Sequence, residues 1–269
     1  MTGLVSELAV VLFWPALVGY SEAALAYLGE ALRPQPRLSR FAIWGVRLGW
    51  LAQTALLVSQ AAAAGGFPWS TWAGSLELFV WLVVGVYLVW GCRPSFRLLG
   101  LAVMPLAAAL LPVAWAAGAG EGAVSAGDSV FLAFHVGLVL AAFAGFTVAA
   151  GLAALYLWQD RRLKRHSPDV LRVRAPALAM LDRVGARTIA IALICLTLGV
   201  GIGFGRLGAR GGSFDPVMAV TLLAWAVYAT YLVMRHEAGW SGRRASRLAV
   251  AGFVLVLVVR IGLVPVAHF

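Results

Sequence analysis

The chain has 269 residues, of which 62% are hydrophobic and only 12% are charged, and its mean hydropathy is +0.91. Soluble domains are about 45–50% apolar and about 25% charged, so this composition excludes a soluble enzyme and a disordered chain. A membrane-spanning helix needs about 20 apolar residues, and the length accommodates eight such helices with short connections. We therefore predict an all-α, polytopic membrane helix bundle that forms a single domain over residues 1–269.

Eight apolar runs, taken in chain order, predict eight helices, because backbone groups in lipid must find their partners within the same segment. The runs cover residues 4–28, 41–63, 72–91, 98–117, 129–158, 187–207, 216–235 and 248–268. The fifth run would form about 45 Å of helix against about 30 Å of bilayer core, so this helix is tilted or extends beyond the membrane. The first run follows no basic segment, which favours a retained span over a cleaved signal peptide.

The net charge of +10 arises from basic residues in the gaps between apolar runs, which argues against a nucleic-acid-binding protein. Alternate gaps together hold 17 Lys and Arg residues, whereas the gaps between them hold only Arg206 and Arg210. The positive-inside rule then places the basic gaps in the cytoplasm and both termini outside the inner (cytoplasmic) membrane. The gap at 159–187 also carries apolar residues, so either a helix on the membrane surface or a solvated loop fits it.

Two of the four histidines are candidate ligands. His135 lies in the outer part of the fifth predicted helix. His268 lies roughly 20 residues, or about 30 Å, past the cytoplasmic start of the eighth. Two imidazoles at the same membrane face can bind a haem iron from both sides, although polar residues at helix ends have the same spacing. His166 and His236 lie in basic gaps, where exposed loop histidines are expected.

Arg260 lies within the eighth predicted helix, where an ionisable side chain usually pairs with another group. Haem propionates would suit it, because Arg pairs bidentately with carboxylates. Glu7 or Glu77 would instead be a purely structural partner. Arg206 and Arg210 could also meet carboxylates, or they could be solvated.

Trp69 and Trp72 belong to an outer loop, where they form either an interfacial aromatic belt or one wall of an apolar site. Glycines that alternate from Gly199 to Gly205 follow no strand, so they favour close helix packing over a nucleotide site or the approach of a flat ligand. Cys92 and Cys195 lie far apart and form no CxxC motif, which argues against a disulfide framework. The sequence has no recognisable hydrolase triad, HExxH or phosphate-binding loop. We therefore predict no catalytic residue and expect no enzyme activity of the chain by itself.

Three segments resemble the cytochrome c assembly family, the CcsA-type group that also includes HemX- and YpjD-like proteins. They are FHVGLVLAAFAGFTVAAGLAALYLWQDRRLK at 134–164, LDRVGARTIAIALICLTLGVGIGFG at 181–205 and WAVYATYLVMRHEAGWSGRRASRLAVAGF at 225–253. GGFPWSTW at 65–72 is similar to an FP-x-S turn of the family. The resemblance covers roughly residues 65–269, and the third segment is its most specific part.

The resemblance implies a protein that moves haem to the outer membrane face for attachment to apocytochrome c. His135 matches the first outer haem ligand of the family, His268 approximately matches the second, and Asp215 matches the end of its Trp-rich loop. The implied cofactor is a b-type, non-covalent haem, and the implied partner is apocytochrome c or another assembly membrane protein. Side chains that would cover the ring or neutralise its propionates are Trp69, Trp72, Phe214, Arg206, Arg210 and Arg260.

This sequence also departs from the family pattern. The tryptophans of the outer loop are absent, and the charged residues after the Asp-Pro pair are replaced by Val217 and Met218. A cytoplasmic-side histidine of the family corresponds to Val233, and an acidic residue corresponds to Gly74, one turn before Glu77. These departures are typical of the shorter HemX/YpjD-like branch. They argue against a full haem-attachment machine and leave open a haem-free regulatory or scaffold partner. Eight helices with an intramembrane arginine also permit a small-solute transporter, and a haem-containing redox subunit is a further alternative.

Overall fold

A computed structural model describes most of the chain. It covers residues 2–32, 36–64, 66, 71–91, 96–119, 129–165, 177–210 and 216–263. Within these ranges the side chains are not described at 2–6, 31–32, 36, 39, 91, 97, 129–132, 206–210 and 259–263.

The described residues form eight α-helices and no strand, which confirms the predicted all-α membrane architecture. The helices are α1 (Thr2–Leu32), α2 (Pro36–Ala64), α3 (Trp72–Gly91), α4 (Arg97–Ala116), α5 (Ser129–Lys164), α6 (Leu178–Arg210), α7 (Pro216–His236) and α8 (Arg243–Leu263). Seven of them, α1 to α7, contain described segments that are long and apolar enough to cross a membrane. The membrane-spanning role of α8 stays a prediction.

The helix ends differ most from the sequence-based expectation around the predicted gap at 159–187. α5 continues to Lys164, and α6 begins at Leu178, nine residues before its expected start. Leu181 and Val184 are buried, so packing against other helices extends α6 beyond the uniformly apolar run. The prediction that residues 159–164 and 178–186 belong to a gap is therefore wrong, and residues 166–176 lie outside the described ranges.

Helices α1 to α4 belong to one compact unit. Consecutive helices are antiparallel, and α4 also packs antiparallel to α1. Near one end of α1 the ring of Phe13 stacks on Trp115 of α4, with centroids 4.7 Å apart. Near its other end Tyr27 accepts a hydrogen bond from the hydroxyl of Tyr87, with an O–O distance of 2.8 Å. Aromatic side chains therefore join α1 to its neighbours at both ends.

The crossing of α1 and α2 depends on three glycines. A methyl group at Gly19 would lie 2.8 Å from the carbonyl oxygen of Gly45 and 2.8 Å from the Cα atom of Gly49. Gly45 and Gly49 are separated by three residues, so they lie on the same face of α2, as in the GxxxG pattern of closely packed membrane helices. The two backbones are therefore in direct contact.

The second unit contains α5 from Gly137 onward together with α6, α7 and α8. The ring of Phe146 on α5 stacks on that of Tyr228 on α7, with centroids 3.8 Å apart and planes 6° apart. A methyl group at Gly145 would lie 2.8 Å from Cβ of Ala192 on α6. The rest of this core contains many alanines, which allow close approach of the helices; they are Ala142, Ala149, Ala153, Ala192, Ala224, Ala245 and Ala249.

Candidate functional site

His135 lies on α5, one turn before Val139, and its side chain is half-buried. The residue before it, Phe134, is 62% exposed. Residues 129–132, which precede them, are helical without described side chains. The predicted ligand is therefore within a continuous helix rather than in a loop, so the backbone at His135 is fixed by main-chain hydrogen bonds.

The other predicted site residues are described to different extents. Trp72 is the first residue of α3 and is 58% exposed, which fits the interfacial role as well as a site wall. Arg206 and Arg210 belong to the C-terminal end of α6, with Arg210 as its last residue, and Arg260 belongs to α8. Only the backbone is described at these three arginines. Trp69, Phe214, Asp215 and His268 lie outside the described residues, so the predicted pairing of two histidines stays a prediction.

The alternating glycines of α6 differ from one another in their surroundings. A methyl group at Gly199 would lie 2.9 Å from Cγ2 of Val139, so this glycine allows α5 and α6 to pack closely, as predicted. At Gly201 and Gly205 a methyl group would meet no described atom within 4 Å. The C-terminal part of α6 therefore presents an open backbone surface at these two glycines.

Two ion pairs connect the four helices of the second unit at one end. Arg235 of α7 donates two hydrogen bonds to Asp182 of α6, with N–O distances of 3.0 and 2.6 Å. The backbone N–H of Gly242, just before α8, donates a third hydrogen bond to the same carboxylate at 3.0 Å. Arg243 of α8 binds Asp160 of α5 through Nε at 2.7 Å and through a second guanidinium nitrogen.

Sequence reasoning missed these four side chains as partners. The sequence does contain a feature that could have indicated these ion pairs, since acidic residues are scarce in this chain and both Asp160 and Asp182 lie among arginines. Charged groups that are partly removed from water require such partners. The consequence is that the connection between α7 and α8 is fixed to the ends of α5 and α6.

The turn between α7 and α8 contains two glycines in the left-handed region, Gly239 (φ +63°) and Gly242 (φ +62°). We expect Gly242→Ala to lower the free energy of unfolding by about 2 kcal/mol, of which the strain of a left-handed alanine accounts for about 1 kcal/mol. Its methyl group would also lie 2.7 Å from the hydroxyl of Tyr156. Thermal unfolding of the purified protein measures this effect.

Gly239→Ala is the matched control for that substitution. It has the same backbone strain, which costs about 1 kcal/mol, but its methyl group would meet no described atom within 4 Å. Equal thermal midpoints for the two variants would contradict a role for the contact with Tyr156.

Comparison with known proteins identifies the family. Residues 69–264 match the family model described as Cytochrome C assembly protein. The chain is 31% identical over 252 residues to the cytochrome c biogenesis protein CcsA of Prochlorococcus marinus (strain MIT 9313), with 81% of this chain and 79% of that protein covered. It is 26% identical over 247 residues to the protein HemX of Brevibacillus brevis, with 89% of this chain and 90% of that protein covered.

A solved structure shares the fold. The cytochrome c heme lyase CcmF superposes with a TM-score of 0.69 at 16% identity, over 94% of this chain and 46% of that protein. This chain therefore spans about half the length of CcmF, and the likeness concerns the fold alone. Because the family match extends over most of the chain and the fold agrees with it, this multi-span membrane protein belongs to the cytochrome c assembly protein family.

Proposed function

We propose that this protein binds a b-type haem non-covalently and handles haem during cytochrome c assembly. The observation that carries the proposal is the position of His135, a half-buried imidazole on a membrane-spanning helix of a cytochrome c assembly protein. CcmF, which shares the fold, is a cytochrome c heme lyase by name. Neutral imidazole is a common axial ligand of haem iron in proteins.

The proposed ligand set combines two helices. His135 and His268 would provide the axial nitrogens near the outer membrane face. Guanidinium groups would neutralise the propionates, because Arg binds carboxylates bidentately, and aromatic side chains would cover the apolar ring. The residues with these roles are Arg206, Arg210, Arg260, Trp69, Trp72 and Phe214, with Asp215 at the end of the outer loop.

The chemistry of the described side chains is compatible with haem. No group of three or more His, Cys, Asp or Glu side chains lies together among the described residues, as a metal ion held only by protein would require. A bound porphyrin would supply four nitrogen ligands itself, so one imidazole on each side would complete the coordination of its iron. The open backbone surface at Gly201 and Gly205 also leaves space for a flat ring.

Orientation and partners are part of the same proposal. The basic residues of α5 and α7 lie near their C-terminal ends, and those of α8 lie near its N-terminal end except for Arg260. The charged end of the second unit is proposed to face the cytoplasm, in the inner membrane. The opposite face would then meet apocytochrome c or another cytochrome c assembly membrane protein.

A visible spectrum of the protein tests haem binding. We expect wild-type protein, purified in mild detergent after haem-replete expression, to show b-type bands on reduction. His135→Ala and His268→Ala should each remove most of this absorbance, since each takes away one axial ligand. His236→Ala is the matched control, because His236 is exposed at the C-terminal end of α7 among basic residues, and its substitution should leave the bands unchanged.

Two outcomes would contradict the proposal. One is the absence of b-type bands from well-folded wild-type protein. The other is a His135→Ala spectrum identical to that of His236→Ala, together with an unchanged cytochrome c yield in cells. Melting curves of all variants establish that a lost band does not reflect unfolding.

A further inference from the structure

The first unit contains a carboxyl group that the proposed haem site does not use. Glu77 lies on α3, just over one turn after its first residue, and is only 1% exposed. Two glutamines of α2 are buried with it, Gln53 at 0% and Gln60 at 4% exposure. An acidic side chain at this depth needs either a positive partner or a hydrogen ion.

Hydrogen bonds of the surrounding groups leave the carboxyl unsatisfied. The hydroxyl of Tyr20 on α1 donates to Oε1 of Gln53 at 2.6 Å. The amide nitrogen of Gln53 donates to the backbone carbonyl of Glu77 at 3.0 Å, not to its carboxyl group. The amide nitrogen of Gln60 points to the carbonyl oxygen of Ala119, just after α4, at 3.5 Å. The donors of Tyr20 and Gln53 are therefore directed at other acceptors, while the side chain of Gln60 also interacts with the carboxyl group of Glu77 beside it.

Three buried oxygens of this cluster have no hydrogen-bond partner among the described residues. They are both carboxyl oxygens of Glu77 and Oε1 of Gln60, and the two side chains lie beside each other. The titratable group that faces Glu77 from a neighbouring helix is Tyr20 of α1, while α2 presents the two glutamines and the turn after α4 presents a backbone carbonyl. No Lys, Arg or His is buried among the described residues of this unit. An ionised carboxylate would thus have no cationic partner among these residues.

We propose that Glu77 is a proton-binding site inside the membrane, whose carboxyl group is protonated at neutral pH and donates a hydrogen bond to Oε1 of Gln60. A proton on Glu77 turns its carboxyl group into a hydrogen-bond donor, and Oε1 of Gln60 can accept that hydrogen bond. One proton therefore gives both side chains a partner. Gln60 then completes a chain of hydrogen bonds from Glu77 to the carbonyl of Ala119. The bound proton thereby connects α3, α2 and the turn after α4.

Infrared spectroscopy of the whole protein in lipid nanodiscs tests this proposal. A protonated carboxyl group has a C=O stretching band that ionised carboxylates lack. At pH 7 we expect such a band in the wild type and its loss in Glu77→Gln, which keeps the size and neutrality of the protonated side chain. Glu237→Gln is the control, because Glu237 is exposed in the turn after α7 and this substitution should leave the band of the protonated carboxyl group unchanged.

A second variant tests the hydrogen-bond partner. Gln60→Leu removes the acceptor, so the band should persist and move to higher frequency. The proposal is wrong if Glu77→Gln leaves the carboxyl band region unchanged, or if wild-type protein has no such band. It is also wrong if sodium ions abolish the band at constant pH, because the three oxygens would then bind a metal cation rather than a proton.

Discussion

Asp182→Ala is expected to lower the free energy of unfolding by about 3 kcal/mol, because removing one member of a partly buried ion pair leaves the other without compensation. The side chains of Asp182 and Arg235 are 13% and 24% exposed, so water only partly replaces the lost contacts. The substitution also removes the acceptor of the Gly242 N–H group, which would loosen the connection between α7 and α8. A thermal midpoint lowered by several degrees, measured in detergent, would show the effect.

Arg183→Gln is the matched control for this prediction. Arg183 is the next residue on α6, but it is exposed, and substitutions of exposed charges usually change stability by less than about 0.5 kcal/mol. Asp182→Asn should fall between the two, since an amide oxygen can still accept from Gly242 while the charge is lost. Equal midpoints for Asp182→Ala and Arg183→Gln would contradict a stabilising role of the ion pair.

The number and type of the helices could be predicted from sequence, because a backbone segment that crosses lipid must form its hydrogen bonds within itself. The length of α6 could not, since its first turns are stabilised by a partner far along the chain. Asp182 and Arg235 are 53 residues apart, and local apolarity does not indicate such a pair. A charged residue at the edge of an apolar run therefore predicts the end of a helix from sequence, although the helix continues past it.

The sequence also could not predict which side of each helix is buried. In soluble proteins the apolar side faces the core, but in membranes both the lipid-facing and the protein-facing sides are apolar. On α3, Tyr87 is 1% exposed whereas Val89, two residues later, is 70% exposed, although both belong to one hydrophobic run. For the same reason the sequence indicates Glu77 as a partner for Arg260 or as an acidic residue one turn after Gly74, but it does not indicate that Glu77 is buried among glutamines.

The candidate site was predicted only at the level of residue types. His135 could be singled out because histidines are rare here and one lies within an apolar run. That its side chain is half-buried depends on packing against other helices, which the apolar run around it does not indicate. The three-residue spacing of Gly45 and Gly49, by contrast, is a local signal of helix contact that sequence reasoning could have used.

Gly19→Ala is expected to destabilise the protein by about 3 kcal/mol, because overpacking a close helix contact forces the backbones apart. The new methyl group would lie within 2.9 Å of three backbone atoms, namely the carbonyl oxygen of Gly45 and the Cα and N atoms of Gly49. Backbone atoms in a helix cannot rotate away as a flexible side chain can. The α1–α2 pair must therefore separate, and neighbouring contacts such as that between Tyr20 and Gln53 would be strained.

Gly85→Ala separates this effect from the general preference of helices for alanine, which favours Ala over Gly by about 1 kcal/mol. In the same unit, a methyl group at Gly85 would lie 3.5 Å from Nε1 of Trp50, an ordinary contact. We expect the thermal midpoint of Gly85→Ala to equal or exceed that of the wild type, and that of Gly19→Ala to fall by several degrees. If both variants were stabilised, α1 and α2 would not be in direct backbone contact, and the packing of the first unit would have to depend on its aromatic side chains instead.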